Sequence, residues 1–332
     1  MTSTAFQSEL RTGLAAVRQA AIACRSVQSG ITPDALAKKD KSPVTVADFA
    51  SQAIVCRQLG IDFPNDPVIG EEGAAELRSP EGAEFLSQVV HECVGTGIAA
   101  TSHQICDWID RGNLQEYRPR FWTLDPIDGT KGFLRNEQYA ISLALIVEGE
   151  IELGILGCPN MPFTIDDQDK PRGTLAWAIR GQGAWAAPMD DSATTAVRMK
   201  VSGRTDFSRV RFCESVESGH SSHDWSGMIA EELGISAEPV RMDSQCKYLA
   251  IARGQAEIYL RLPTRKGYQE KIWDHAGGIC VVREAGGTVT DIHGNTPDFS
   301  RGATLSDNVG MVVTGGPDHD RVVEAVTASA PE

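Results

Sequence analysis

Apolar residues recur at helical spacing in two segments near the start of the chain. Within residues 5–27, Leu10, Leu14 and Val17 fall on one side of the expected helix, a spacing typical of an amphipathic helix. Residues 46–60 repeat this pattern and predict a second helix. The chain therefore opens with two helices that each need an apolar surface to pack against.

The following segment is less regular. Residues 67–70 predict a short strand, and one helix is expected around 84–94. The mostly polar stretch 95–120 has no clear period, so we expect an insertion that crosses the surface.

Longer apolar runs come next and predict hairpins. Residues 139–147 and 151–157 are two such runs, separated by a Glu-Gly-Glu segment, which is a hairpin pattern. The runs 175–180 and 183–186 predict a second hairpin.

From about residue 205 onward, predicted strands and helices alternate. This alternation implies a sheet covered by helices, and so an α/β fold. The polar segment 168–172 predicts a boundary between an N-terminal lobe, 1–170, and a C-terminal lobe, 171–332. The predicted strands are 210–216, 239–242, 257–262 and 288–291, and the predicted helices are 222–233, 246–253 and 273–285.

Composition narrows the function class. The 332 residues are 41% hydrophobic and 23% charged, as in ordinary globular proteins. The net charge of −14 disfavours binding to a nucleic acid polymer or to an anionic membrane surface. The N-terminal segment lacks the apolar core of a secretory signal, and the eight cysteines show no C-x-x-C spacing. We therefore expect a cytoplasmic protein with no membrane segment, whose cysteines are reduced core residues.

The run from Trp122 to Arg135 carries the most specific chemistry. Asp125 and Asp128 flank Pro126, which fixes its own φ and favours an extended Asp125. The two carboxylates are therefore expected to lie around a sharp turn. Carboxylate oxygens are suitable ligands for Mg²⁺, which proteins commonly hold by one or two carboxylates plus substrate phosphate.

Directly after the two acids, Gly129 can adopt a positive φ and begin a helix. The N–H groups of Gly129 and Thr130 would then be exposed at the helix start, where phosphate can bind. The alternative is a surface turn in which Asp125 is a helix cap. The apolar residues 121–124 favour the metal site, because they would carry both acids into the interior, where carboxylates need counter-charges.

The segment around Asp125 resembles the metal-binding signature of the inositol monophosphatase superfamily. Other segments are similar to one branch of it, the 3′(2′),5′-bisphosphate nucleotidases, and the resemblance extends from about Lys39 to about Gly315. Between Glu72 and Phe121 no family pattern is evident. The similar segments are 42–48, 69–72, 214–223, 243–248, 259–263, 268–276 and 284–287.

The resemblance implies a layered α/β/α/β/α fold, with an antiparallel sheet first, a smaller mixed sheet second and the active site between them. It also implies a Mg²⁺-dependent phosphatase with two or more Mg²⁺ ions per site. Glu71 and the carbonyl of Ile127 would hold one ion. Asp128 and Asp274 would hold the second, and Asp125 would bridge both.

The same resemblance implies two catalytic residues. Thr130 would pass its hydroxyl hydrogen to Asp48 and orient the attacking water, which is the arrangement expected of a general base. It also implies that Li⁺ and Na⁺ inhibit the enzyme by competing at one metal position.

Residues of the second half indicate the substrate class. Lys247, Arg261 and His220 lie in segments that match the nucleotide-contacting positions of the nucleotidase branch, and Ser221 and Ser244 could donate hydrogen bonds to phosphate or sugar. A bisphosphorylated nucleotide needs cations for its second phosphate, and arginine is suited to bidentate phosphate contact. The expected substrate is 3′-phosphoadenosine 5′-phosphate, with the 5′-phosphosulfate analogue as a second possibility.

Two other functions stay open at this stage. An inositol phosphate phosphatase would use the same acids without a second phosphate pocket, and a nucleotide sensor would keep the pocket without turnover. Taken singly, Asp48 and Asp274 could be helix caps and Glu71 part of a solvated turn. The joint occurrence of acids from separate segments is what favours the metal site.

Overall fold

Two β-sheets alternate with three layers of helices. The computed structural model describes residues 5–31, 43–164, 172–190, 195–216, 223–265 and 267–330. The helices in these ranges are α1 (Gln7–Ser29), α2 (Pro43–Asp62), α3 (Ala83–Gly95), α4 (Ser102–Asp110), α5 (Thr130–Leu134), α6 (His223–Leu233), α7 (Cys246–Ala252), α8 (Ala276–Glu284) and α9 (His319–Ala328).

The first sheet has seven strands within the described residues, arranged in chain order. The first two strands pair in parallel and the others are antiparallel. Both predicted hairpins are present. The strands are β1 (Val68–Gly70), β2 (Arg120–Asp128), β3 (Ala140–Val147), β4 (Glu150–Pro162), β5 (Arg172–Ile179), β6 (Ala184–Pro188) and β7 (Val197–Arg198).

The predicted lobe boundary at 170/171 does not coincide with the division between the sheets. Strands β5, β6 and β7 all lie beyond it, yet they extend the first sheet. The change of sheet falls between Arg198 and Phe212. Strands β4 and β5, which precede and follow the polar segment, are antiparallel neighbours in the first sheet, so the change of composition there does not separate the two sheets.

The smaller second sheet is mixed, as expected. Its described strands are β8 (Phe212–Glu214), β9 (Val240–Arg241), β10 (Ile258–Arg261), β11 (Thr288–Thr290) and β12 (Met311–Thr314). They lie in the order β11-β12-β10-β8-β9. Pairing is parallel among β10, β8 and β9, and β12 pairs antiparallel with β10 and β11. Strand β12 and helix α9 were not predicted from the sequence.

The helices complete the expected α/β/α/β/α layers. Helices α1 and α2 pack on one face of the first sheet, and α7 and α8 lie between the two sheets. The outer face of the second sheet is covered by α6 and α9, whose Trp225, Ile229 and Val326 are buried there. In the part of the chain described, no helix combines the length and the apolar character needed to cross a membrane.

The expectation of a surface insertion over 95–120 was wrong in part. Helix α4 lies in this stretch and buries Ile105, Cys106 and Ile109. It begins with a capping box, in which the Thr101 hydroxyl accepts from the Gln104 N–H and the Gln104 side chain accepts from the Thr101 N–H. This capping pattern is readable in the sequence, and it was the signal that a helix begins there.

Candidate active site

A cleft of about 370 Å³ opens where β2 ends and reaches the loop before α7. Ten of the residues predicted for the site line it: Glu71, Asp125, Ile127, Asp128, Gly129, Thr130, Ser244, Lys247, Arg261 and Asp274. The proposed metal ligands and phosphate contacts therefore share one cavity, although they come from segments far apart in the chain.

The end of β2 places two of the acids. Asp125 pairs with Ser142 of β3, and the ladder then becomes irregular before Asp128 pairs with Ala140. Pro126 lies inside this irregularity, where it lacks the N–H that a regular ladder would use. The Asp125 carboxylate accepts a hydrogen bond of 3.1 Å from the Ile127 N–H, which fixes the turn.

Gly129 continues the turn into α5. Its φ is +90°, and a Cβ there would lie 2.7 Å from the Ser244 Cβ. A residue with a side chain would therefore be strained and would also displace the loop before α7. Glycine at this position lets the two halves of the site approach each other.

Glu71 reaches the same point from the neighbouring strand. Strand β1 pairs in parallel with β2, with Gly70 opposite Leu124, so the residue after Gly70 arrives beside Asp125. The buried side chain of Gln52 holds the following residue, because its oxygen accepts from the Glu72 N–H at 3.1 Å and its amide donates to the Glu72 carbonyl.

The pKa values of all four acids are raised, by burial first and, for Glu71, Asp125 and Asp274, also by neighbouring carboxylates. Burial, followed by the charges of Glu71, Asp128 and Asp274, raises the pKa of Asp125 well above its ordinary value. Burial, Asp128 and Glu71 raise the pKa of Asp274 to about 7. The pKa of Glu71 is also raised to about 7. The main cause is the loss of water around its carboxylate within the cleft, followed by the charges of Glu72 and Asp128.

This mutual repulsion is what a divalent cation would relieve. Four carboxylates with oxygen-only ligand atoms in one cleft fit Mg²⁺. Without a cation, the same groups must share protons to remain close together. The donor set therefore fits the metal that the sequence motif predicts.

Two cations line the same cleft. Lys247 is only 4% exposed, and its ammonium lies 5.2 Å from the centre of the Tyr259 ring. Burial lowers its pKa, and the nearby Asp128 partly offsets that effect. Arg261 donates from Nε to Glu270 at 3.4 Å, which holds its guanidinium at the cleft.

Glu270, Asp274 and His275 also bring one possible ligand atom each within 4.8 Å of one another. Two of them are already paired, since His275 Nε2 lies 3.1 Å from Glu270 and His275 Nδ1 lies 2.7 Å from the Tyr248 hydroxyl. Burial opposes ionisation of Glu270, but His275 and then Arg261 lower its pKa to about 2. Asp274 and His275 line the cleft, and Glu270 is not among its described lining residues.

Three predicted residues are not among the cleft's lining residues. Asp48 is buried behind it, where burial and the charges of Glu72 and Glu71 raise its pKa well above the ordinary value. Among the described residues, Thr130 is not one of those that shift the pKa of Asp48 through a hydrogen bond or a charge. His220 and Ser221 lie outside the described residues.

Two buried glutamines were missed by the sequence reasoning. Gln52 supports the strand end at Glu72, and Gln245 lines the cleft and contacts the Asp128 carboxylate through its backbone N–H. Gln245 lies within the segment 243–248 that carries the family resemblance, but only its neighbours Ser244 and Lys247 were selected there. Gln52 could have been noticed as an uncharged polar residue on the apolar side of a predicted helix, where a polar side chain needs hydrogen-bond partners.

Solved structures share this fold. An IMPase from Thermotoga maritima has a TM-score of 0.63 at 19% identity, covering 97% of this chain and 97% of that chain. CysQ from Bacteroides thetaiotaomicron, described as a bacterial member of the inositol monophosphatase family, has a TM-score of 0.62 at 19% identity over 95% of this chain and 100% of that chain. At this identity, the two structures show a common fold.

Residues 3–329 match the inositol monophosphatase family, and the chain belongs to that family. More similar relatives carry a more particular name, 3′(2′),5′-bisphosphate nucleotidase. One from Schizosaccharomyces pombe is 40% identical over 97% of this chain and 96% of its own. Another, from Emericella nidulans, is 42% identical over 94% and 95%, and one from Oryza sativa is 43% identical over 93% and 90%.

Proposed function

We propose that this chain is a 3′(2′),5′-bisphosphate nucleotidase that hydrolyses the 3′-phosphate of 3′-phosphoadenosine 5′-phosphate to give AMP and phosphate. The same reaction on 3′-phosphoadenosine 5′-phosphosulfate would give adenosine 5′-phosphosulfate. The observation that carries the proposal is the cleft itself, which four carboxylates line together with the buried Lys247 and the partly buried Arg261. The names of the relatives support the substrate assignment.

The acids would hold two or more Mg²⁺ ions. Glu71 and the Ile127 carbonyl are proposed for one position, Asp128 and Asp274 for another, and Asp125 for both. Bound there, Mg²⁺ would supply charge neutralisation of the phosphoryl group and acidification of a water. Family membership supports the use of a divalent metal, and inhibition by Li⁺ and Na⁺ belongs to the proposal.

The remaining residues would bind and orient the substrate. The N–H groups of Gly129 and Thr130, at the start of α5, would donate to oxygens of the phosphate being removed. Arg261 and Lys247 would bind the phosphate that is kept. Ser244 is positioned at the same cleft to donate a further hydrogen bond.

Three roles complete the proposal. Asp48 would accept the hydroxyl hydrogen of Thr130, and burial with the charges of Glu72 and Glu71 raises the pKa of Asp48, which makes it a stronger base than an ordinary carboxylate. His220 and Ser221 are proposed as further nucleotide contacts on the strength of the sequence resemblance. We also propose a cytoplasmic location, where this class of nucleotide would be available.

A substrate panel tests the function. Phosphate release is measured from 3′-phosphoadenosine 5′-phosphate, its phosphosulfate analogue and inositol 1-phosphate, with and without Mg²⁺, and then with Li⁺ added. We expect Mg²⁺-dependent turnover that is fastest on the two nucleotides. Asp125→Asn should lower kcat by at least about 100-fold, because it removes the ligand proposed to bridge both ions. Preference for inositol 1-phosphate would instead indicate an inositol phosphatase, and wild-type activity of Asp125→Asn would refute the metal assignment.

A further inference from the structure

The side chain of Gln245 is almost completely buried and makes contacts in three directions. Only 1% of it is exposed. Its oxygen accepts from the Ser142 hydroxyl at 3.0 Å and from the Gly278 N–H at 3.1 Å. Its amide nitrogen donates to the Trp273 carbonyl at 2.9 Å. Since a polar group buried without partners is costly, this set of contacts constrains the side chain to one position.

The contacts with Ser142 and Trp273, together with the backbone N–H of Gln245, lead to proposed metal ligands. Ser142 is the cross-strand partner of Asp125 in the pairing of β2 with β3. The Trp273 carbonyl belongs to the peptide unit that leads directly into Asp274. The backbone N–H of Gln245 donates to Asp128 Oδ2.

The contacts also join separate parts of the fold. Asp128 and Ser142 belong to the first sheet, Gly278 belongs to α8 between the sheets, and Gln245 itself precedes α7 at the edge of the second sheet. The partners of Gln245 lie between 28 and 117 residues away from it in the chain.

We propose that Gln245 is a positioning residue that fixes the relative placement of Asp125, Asp128 and Asp274 and thereby sets the affinity of the site for divalent cations. The inference rests on the proposed function for the identity of the ligands. Gln245 does this through Ser142, through Trp273 and through its own backbone N–H, and its side chain binds no ion itself.

The chemistry of the amide explains why glutamine suits this position. The oxygen must accept two hydrogen bonds while the neighbouring atom donates one to a carbonyl. A glutamate would place a second oxygen against the Trp273 carbonyl, and methionine of similar length would satisfy none of the three partners. Asparagine is one methylene too short to reach the same atoms.

The test compares two buried glutamines. Gln245→Met removes the three side-chain contacts and keeps the length of the side chain. Gln28→Met is the matched control, because Gln28 is also buried and its side-chain amide also both donates and accepts hydrogen bonds. It donates to the Phe133 carbonyl at 2.9 Å and accepts from the Asn160 amide at 3.0 Å. Both variants lose buried hydrogen bonds, so both should lose some stability. Only Gln245→Met should lose metal affinity.

Metal binding is measured directly on each purified protein. Mn²⁺ is titrated and the free ion is followed by electron paramagnetic resonance, and Mg²⁺ binding is measured by calorimetry. For Gln245→Met we expect the dissociation constants to rise about 10–100-fold, as for other residues that support metal ligands. The Mg²⁺ concentration for half-maximal phosphate release should rise by a similar factor. Gln28→Met should keep the wild-type constants.

A milder variant guards against a folding failure. Ser142→Ala removes one donor and leaves the Gly278 and Trp273 contacts in place, and we expect it to raise the dissociation constants by about 3–10-fold. If Gln245→Met is folded and binds both ions like wild type, the inference is wrong. If that variant does not fold, wild-type metal affinity in Ser142→Ala overturns the inference instead.

The same experiment separates this inference from the proposed function. If the wild-type protein binds no divalent cation, both fail. If wild type binds metal and hydrolyses the nucleotide but Gln245→Met is unchanged, only the positioning role fails. If Gln245→Met weakens metal binding in a protein that does not hydrolyse the nucleotide, the positioning role stands and the substrate assignment fails.

Discussion

Replacing Asp274 by Asn should stabilise the metal-free protein at neutral and alkaline pH while removing a metal ligand. Burial and the charges of Asp128 and Glu71 raise the pKa of Asp274 from 3.8 to about 7. A carboxyl whose pKa is raised on folding holds its proton in the folded state at pH values where the unfolded chain has released it. Its contribution to stability therefore falls as pH rises from about 4 to about 7, and the loss is complete above that range.

The size of the effect follows from the pKa values. Moving the pKa from 3.8 to about 7 corresponds to roughly 4 kcal/mol at pH 8, at about 1.4 kcal/mol per pH unit. Asp274 is only partly buried and shares its repulsion with three other acids, so we expect about half of this, ~2 kcal/mol. For a chain of 332 residues, an unfolding entropy of about 2.1 cal/mol/K per residue converts ~2 kcal/mol into about 3 °C.

The assay is thermal unfolding in a chelator at pH 5, 6, 7 and 8. Because about a third of this loss of stability has already occurred at pH 5, we expect Asp274→Asn to have a Tm about 1 °C above wild type at pH 5 and about 3 °C above it at pH 8. The control is Asp224→Asn, which changes an exposed aspartate in the first turn of α6 and should show no such pH trend. Added Mg²⁺ should raise the Tm of wild type more than that of Asp274→Asn.

Two results would refute this reasoning. One is an Asp274→Asn protein that is no more stable than wild type at pH 8 without metal. The other is a gain of equal size at pH 5 and pH 8, since that would arise from packing or hydrogen bonding and not from charge repulsion.

Three further predictions follow from the same cleft. Mg²⁺ at about 100 times its dissociation constant should stabilise the protein by about 2.7 kcal/mol, near 4 °C in Tm at pH 8, and a chelator should reverse the shift; an unchanged Tm would contradict metal binding to the folded state. Arg261→Gln should raise KM for 3′-phosphoadenosine 5′-phosphate about 10–100-fold and leave turnover of inositol 1-phosphate nearly unchanged. The control is Arg180→Gln, which changes an exposed arginine, and equal losses on both substrates would argue against a pocket for the second phosphate. Gly129→Ala should lower the free energy of unfolding in urea by about 1–3 kcal/mol and lower kcat, because the φ of Gly129 is +90° and the new Cβ would meet Ser244. A fully stable and active variant would show that the turn tolerates a side chain.

The elements with strong local patterns were predictable from the sequence. The two opening helices, the two hairpins of the first sheet and most of the alternating elements after residue 205 lie where their periodicity placed them. Helix α4 was missed because only three of its residues are buried and the others are mostly polar, which leaves a weak helical pattern, although its capping box is readable in the sequence. Strand β12 was missed in a segment where no periodicity had been assigned, and its strand character depends on pairing with β10 and β11.

The candidate site was predicted in its parts. The acids and cations were identified because carboxylates around a proline turn and cations in matching segments are local features of the chain. The structure brings Glu71, Asp125, Asp128 and Asp274 to one cleft with Lys247, and their metal-binding roles stay a prediction. The place of Asp48 behind the cleft and the raised pKa values could not be predicted, because both depend on distances between segments.

Residue type and short-range spacing were enough to identify the residues that could carry the chemistry and most of the helices and strands. Only the packed molecule shows that strands β5, β6 and β7 complete the first sheet, and that one buried glutamine joins the end of β2 to the segment of Asp274. Strand pairing and buried hydrogen bonds select their partners among residues distant in the chain. Their energies depend on the packing of the whole molecule, which no local pattern encodes.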